Sequence, residues 1–256
     1  MNNQPIGIFD SGLGGLTVLK EIQRLLPGES IVYYADQAFC PYGNKKPEEI
    51  KNRSRKIVEQ LINKHQCKLI VVACNTATAY SIQHLRASFQ LPFVGMEPAI
   101  KPAALQTNSG IIGVLATEGT LKSEKYNNTA STFASERQVV IQEGRGLVEL
   151  VENNCFQGKK ASELLEKYLR PMLNQGADHI VLGCTHYPFY KKQIEKIVGK
   201  NVLVIDPAPA VARRTKQLLE EKKMLCAKKN PVIHFLSSEQ PDAAIRQKAL
   251  ELLNAI

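Results

Sequence analysis

Short apolar runs alternate with amphipathic stretches from one end of the chain to the other, and nothing constrains the fold more. The runs at Ile6–Phe9, Ile31–Ala35, Leu69–Ala73, Phe93–Met96, Ile111–Leu115, Gln138–Ile141, His179–Leu182, Val202–Ile205 and Val232–Leu236 read as strands. The intervening stretches predict helices over Gly15–Leu26, Pro47–Lys64, Ala77–Ser88, Ile100–Thr107 and Leu121–Ser131. Further helices are expected over Leu147–Asn153, Ala161–Gln175, Tyr187–Val198, Pro207–Glu221 and Pro241–Leu253. Alternation of this kind predicts an α/β fold, with mainly parallel sheets flanked by helices.

With 256 residues and 44% apolar content, the chain can bury a core of one large domain or two small ones. Glu97-Pro98 after the fourth strand and Asp206-Pro207 after the eighth mark crossings between lobes. They divide the chain into an outer lobe of residues 1–97 plus 207–256 and an inner lobe of residues 98–206. No apolar run approaches a membrane span, and the first strand starts too early to leave room for a secretory leader. A cytoplasmic protein without a membrane partner is expected. The six cysteines form no CxxC pair, which favours reduced thiols over disulfides. Cys67 and Cys226 read as small buried hydrophobes or surface thiols. Net charge is +9, but the lysines are dispersed, with clusters such as Lys45-Lys46 and the Lys222 to Lys229 stretch. Without interleaved aromatics, these read as a solvated surface rather than a nucleic-acid footprint. A homodimer is compatible with such a chain.

Two segments end alike. Val71-Val72-Ala73-Cys74-Asn75-Thr76 and Val181-Leu182-Gly183-Cys184-Thr185-His186 each run apolar residues into a small residue, a thiol and two polar residues. Each predicts a buried parallel strand that delivers a cysteine to the mouth of the next helix, where ligands of parallel sheets bind. There the helix dipole and free N–H groups would lower the thiol pKa from its usual 8.5 or so. Two thiols facing across a cleft could take a proton from one side of a carbon and return one to the other. Taken singly, each reads more readily as a buried strand-end residue than as a catalyst; taken together, with matching context, the pair reads as catalytic. A zinc site from Cys74, Cys184 and His186 lacks the paired close spacing of structural zinc, and no metal is expected. A Cys/His hydrolase would leave one thiol idle.

Other strand ends carry further candidates. After the first strand, Asp10-Ser11-Gly12-Leu13-Gly14-Gly15 offers a carboxylate, and glycines that let backbone N–H groups approach an anion. It is not a dinucleotide fingerprint, because Thr17 stands where a third glycine is needed. Cys40-Pro41-Tyr42-Gly43 predicts a turn whose N–H groups could clamp a carboxylate. Asn75, Thr76 and Thr185 offer donors, and His186 could poise Cys184. Thr117 and Thr120 repeat the pattern of a strand followed by polar residues, and they could equally cap a helix. Glu152 on composition alone is a surface glutamate.

Gly7-Ile8-Phe9-Asp10-Ser11-Gly12-Leu13-Gly14-Gly15, Cys40-Pro41-Tyr42-Gly43, Ala73-Cys74-Asn75-Thr76-Ala77, Glu97-Pro98-Ala99 and Gly183-Cys184-Thr185-His186-Tyr187-Pro188 together resemble the aspartate/glutamate racemase superfamily, and within it the glutamate racemases. The resemblance spans nearly the whole chain. It implies two pseudo-symmetric α/β lobes with the active site in the cleft between them. It implies cofactor-independent interconversion of L- and D-glutamate, supplying D-glutamate for peptidoglycan. Cys74 and Cys184 would be the opposed bases, assisted by Asp10, His186 and Glu152. Asp10, Ser11, Pro41, Tyr42, Gly43, Asn75, Thr76, Thr185 and His186 would hold substrate, with Thr117 and Thr120 adding hydroxyls. A relative acting on aspartate, or a binding role toward a protein such as a topoisomerase, are the alternatives. Phe39 departs from the family by standing where a polar or basic residue is common. Gln142-Glu143-Gly144-Arg145-Gly146 replaces a segment that often carries Cys-Pro.

Overall fold

The computed structural model describes residues 3–97, 99–226 and 230–256. Pro98, at one expected lobe crossing, and Lys228-Lys229, at the end of one lysine cluster, lie outside the described residues. Nine strands are present among those described: β1 (Ile6–Asp10), β2 (Ile31–Ala35), β3 (Leu69–Val72), β4 (Phe93–Gly95), β5 (Ile111–Ala116), β6 (Gln138–Glu143), β7 (His179–Gly183), β8 (Leu203–Ile205) and β9 (Ile233–Ser237). Each falls within two residues of its predicted run.

The strands form two all-parallel sheets, in the orders β4-β3-β1-β2-β9 and β6-β5-β7-β8. Read from its other edge, the second sheet runs β8-β7-β5-β6. That is the order of the first four strands repeated, so β1 corresponds to β5 and β3 to β7. In register, Phe9 lies beside Val72, and Ala116 beside Gly183. The residues that follow those pairs therefore emerge side by side at the carboxyl edge of each sheet. Helices cover the sheets, and β1, β2, β3 and β7 are buried along their whole length. This is why they read as continuous apolar runs rather than alternating ones.

One apolar cluster, including Ile8, Leu16, Leu182, Tyr190 and Val211, runs through both halves of the molecule. The cleft side is joined by polar contacts instead: Tyr80 Oη donates to the Gly119 carbonyl at 2.8 Å. No helix among the described residues is long and apolar enough to cross a membrane.

Two predicted helices are broken in the structure. The stretch expected over Leu121–Ser131 is two helices, Glu118–Leu121 and Glu124–Phe133. Ser123 divides them, its hydroxyl accepting from Tyr126 N at 3.2 Å as an N-cap. The stretch Tyr187–Val198 opens with a 3₁₀ turn at Tyr187–Tyr190 before the helix Lys191–Val198. Pro188 removes one backbone donor there. The Tyr187 and Tyr190 hydroxyls meanwhile donate to the carbonyls of Gly144 at 3.2 Å and Leu147 at 2.6 Å.

Candidate active site

Cys74 and Cys184 line the same small pocket between the sheets, with Ser11, Tyr42, Asn75 and Thr185. Cys74 leaves β3 and caps the helix Asn75–Ser88, its Sγ accepting from Ala77 N at 3.4 Å. Its thiol donates to Ser11 Oγ at 3.8 Å. Cys184 leaves β7 in a different setting. The short 3₁₀ turn follows it rather than a long helix, and its Sγ lies 3.7 Å from His186 Nδ1. The expected lowering of the thiol pKa does not hold at Cys74. Burial pushes that thiol up, the nearby Asp10 charge adds to the rise, and the Ala77 N–H and Ser11 hydroxyl only partly offset it.

Behind Cys184 stands a charged relay. His186 Nε2 donates to Glu152 Oε1 at 2.7 Å. Burial works against the imidazolium, but hydrogen bonds to Cys184, Cys40 and Glu152 outweigh it and raise the His186 pKa well above its ordinary value. Burial likewise opposes the Glu152 carboxylate, yet His186 and the Leu13 N–H hold its pKa below the usual range. Glu152 ends the helix Leu147–Glu152 and is partly buried rather than solvent-facing. It reaches across to the β1 loop, accepting from Leu13 N at 2.6 Å and, through Oε2, from Gln37 Nε2 at 3.1 Å.

Asp10 is completely buried. Its Oδ2 accepts from Gly15 N at 2.8 Å and Gly12 N at 3.4 Å, so it organises the loop after β1. The Thr185 hydroxyl approaches its Oδ1 at 3.4 Å. Burial raises the Asp10 carboxyl pKa, against the opposing charge of His186. The loop N–H groups are thus taken by Asp10 and Glu152 rather than left free for an anion, which corrects the expected anion cradle. The glycines serve a different close approach. A Cβ on Gly12 would fall 2.1 Å from Glu152 Oε1, and one on Gly14 would fall 2.3 Å from His186 Nδ1.

The rest of the predicted set assembles unevenly. Pro41, Tyr42, Gly43, Thr76, Thr117 and His186 also line the pocket, whereas Asp10, Glu152 and Thr120 stand behind it. Thr76 Oγ1 lies 3.0 Å from Thr117 Oγ1 and 3.1 Å from Thr120 Oγ1, closing a ring of three hydroxyls that joins the two halves. Thr117 also caps the helix Glu118–Leu121, so both readings of that residue hold. Asn75 Nδ2 is buried at the pocket without a hydrogen-bond partner. The pocket is nearly shut. About 10 Å³ is open to the centre of a water molecule, the lower limit for holding one water. Past Pro41, Gly43 and Thr117, a vestibule of about 410 Å³ opens toward Glu118, Glu143 and Arg145.

Sequence reasoning missed Asp36 and Arg53. Asp36 is fully buried, accepts from the Tyr42 hydroxyl at 2.5 Å, and pairs with Arg53, whose Nε donates at 3.0 Å. Arg53 in turn stacks on Phe39, 3.9 Å from the ring centre. The network fixes the turn Tyr42–Asn44 at the cleft. The signal was present, since Asp36 directly follows β2 as Asp10 ends β1. Cys40 was read only for its backbone, yet its thiol sits beside His186 and Glu152.

Residues 6–215 match the family model described as Asp/Glu/Hydantoin racemase. A glutamate racemase of Herpetosiphon aurantiacus is 46% identical over 254 residues, covering 96% of this chain and 98% of that protein. The crystal structure of the Escherichia coli glutamate racemase, in complex with L-glutamate and the activator UDP-MurNAc-Ala, superposes with a TM-score of 0.85 at 36% identity, covering 98% of this chain and 94% of that one. The Francisella tularensis glutamate racemase in complex with D-glutamate gives the same TM-score at 30% identity, over 99% and 95% of the two chains.

Proposed function

The chain belongs to the Asp/Glu/hydantoin racemase family, among its glutamate racemases, and we propose that it interconverts L- and D-glutamate by passing the α-proton between Cys74 and Cys184. The carrying observation is that the two thiols leave corresponding strands of two identically ordered sheets and line one pocket. In this reading the outer lobe, residues 1–97 plus 207–256, presents Cys74 and the inner lobe, residues 98–206, presents Cys184.

A glutamate α-proton is weakly acidic, so the site must stabilise a carbanion-like state with fixed donors in a cleft that excludes water. Asn75 Nδ2, buried and without a partner, is a donor waiting for a carboxylate oxygen. The hydroxyls of Thr76 and Thr117 and the side chains of Ser11 and Thr185 are its neighbours at the pocket. One thiol takes the proton as its thiolate and the other supplies one to the opposite face. On the Cys184 side, His186 and Glu152 accept or return the thiol proton through the 3.7 Å contact. On the Cys74 side, Asp10 is the nearby carboxylate whose charge bears on the thiol. The nearly shut pocket supports a cycle in which the lobes part to admit substrate and close over it.

The same reading needs no organic cofactor, works in the cytoplasm on free glutamate, and makes the D-glutamate that peptidoglycan synthesis consumes. It is compatible with a homodimer. The test is a chiral assay of the purified protein with glutamate and, separately, aspartate, after exhaustive dialysis against chelator and without pyridoxal phosphate. Interconversion of glutamate with a kcat/KM well above that for aspartate is expected. Comparable turnover of aspartate, or activity that returns only with zinc, would overturn the assignment.

A further inference from the structure

Cys40 is neither of the two proposed bases, yet its thiol completes a donor set beside His186. Its Sγ, a carboxylate oxygen of Glu152 and a ring nitrogen of His186 all lie within 4.8 Å of one another. We propose that Cys40, Glu152 and His186 form an inhibitory site for a borderline-soft divalent cation of the zinc type, entered through the groove beside Gln37 and Glu239 rather than through the pocket of the two thiols.

The chemistry of the donors selects the ion. A thiolate, an imidazole and a carboxylate suit Zn²⁺ or Co²⁺ and not Mg²⁺ or Ca²⁺, which prefer all-oxygen shells. Three protein ligands with a fourth position open is the arrangement of an accessible zinc site. Bond lengths of about 2.0–2.3 Å set ligand atoms roughly 3.3–3.7 Å apart around the metal. His186 Nε2 and Glu152 Oε1, at 2.7 Å, have to part slightly. The widest edge of the triangle has to contract by at most about 1 Å, and Cys40, only partly buried, has the freedom to close it.

The surroundings also fit. Gln37 Nε2 and Leu13 N orient the Glu152 carboxylate by hydrogen bonds, and His186 Nδ1 is directed at Cys184 Sγ. Outer contacts of this kind fix ligand orientation in metal sites. A surface groove lined by Gln37, Cys40, Glu149, Glu152, Glu239 and Lys248 leads to the thiol, and its three acids outweigh the one lysine in attracting a cation. Neither Cys40 nor Glu152 lines the pocket of the two catalytic thiols; only His186 is shared. A metal ion there pins the imidazole and ends its proton exchange with Cys184. Inhibition therefore falls on kcat, with little change in KM for glutamate.

The test uses chelator-treated protein titrated with Co²⁺, reading the near-ultraviolet thiolate-to-cobalt band, with Zn²⁺ inhibition measured in parallel. One equivalent should bind with that band, and chelator should restore activity. Cys40→Ser and Cys40→Ala should lose the band and need at least about tenfold more Zn²⁺ for inhibition, each measured against its own metal-free activity. The cobalt band reads sulfur ligation directly, so it decides the matter whether or not glutamate proves to be the substrate. If the band survives in the Cys40 variants and disappears in Cys74→Ser or Cys184→Ser, the metal sits on the catalytic thiols and the proposal is wrong. Absence of any one-equivalent binding by the native protein overturns it equally.

Discussion

Gly14 lies against the imidazole of His186, so close that a Cβ would fall 2.3 Å from Nδ1. A residue near the start of the chain thus sets where a ring that follows β7 can stand, and that ring contacts the Cys184 thiol at 3.7 Å. Gly14→Ala should displace His186 while leaving the sheets intact. Because misplacing a positioned group by about 1 Å costs on the order of 10²-fold, kcat should fall by about that factor with little change in KM. Steady-state kinetics beside a far-ultraviolet circular dichroism spectrum would check this. Unaltered kcat in a folded variant would mean that the ring position is unimportant.

The two thiols should divide the work by enantiomer. Family resemblance gives Cys74 the proton of D-glutamate and Cys184 that of L-glutamate. Serine at either position is too poor a base at neutral pH, so each single variant should lose racemisation by at least about 10²-fold. A 3-chloroglutamate substrate can expel chloride after one deprotonation and needs only one base. Cys74→Ser should therefore process one enantiomer and Cys184→Ser the other. Both variants consuming the same enantiomer would rule out opposed bases.

Glu152 helps keep His186 protonated, since its carboxylate favours the imidazolium. Glu152→Gln removes that charge, which lowers the His186 pKa from its raised position. The limb of the pH–kcat profile that depends on the imidazolium should move to lower pH, more in the L-to-D direction than in the reverse. Profiles measured in both directions test this, and a shift to higher pH would contradict the relay.

Arg53 does not line the pocket of the two thiols and should matter mainly for stability. Arg53→Ala strands the fully buried Asp36 without its cation and frees Phe39 from its stacking partner. A loss of about 2–3 kcal/mol is expected, below the range for a wholly buried pair because Arg53 is partly open to solvent. Urea titration would measure it. KM for glutamate should also rise, as the Tyr42–Asn44 turn at the cleft loosens.

Strands were legible because burial on both faces writes them as continuous apolar runs, and β2 was placed to the residue. The matched ends of β3 and β7 made Cys74 and Cys184 stand out for the same reason. What stayed hidden depends on contacts remote in sequence. Glu152 looks like a surface glutamate until the helix Leu147–Glu152 carries it to Leu13 and His186. The helix break at Ser123 was readable, because a serine followed by Glu124 is an N-cap signal. The setting of Cys184 was not, since a 3₁₀ turn and a helical turn share the same local pattern. The raised pKa at Cys74 follows from burial, which no spacing reveals.

The nearly shut pocket has one more consequence, for timing. With Cys74 and Cys184 as the opposed bases proposed above, each passage of a proton from one face to the other would leave the pair of thiols in the opposite state, ready only for the reverse reaction. Resetting them requires exchange with bulk solvent, and a pocket with room for about one water centre allows little of it while closed. On that mechanism the protein would carry a record of its last turnover until the pocket opens. On that mechanism, at high concentrations of both enantiomers, that erasure rather than the carbon chemistry would set the ceiling on net flux.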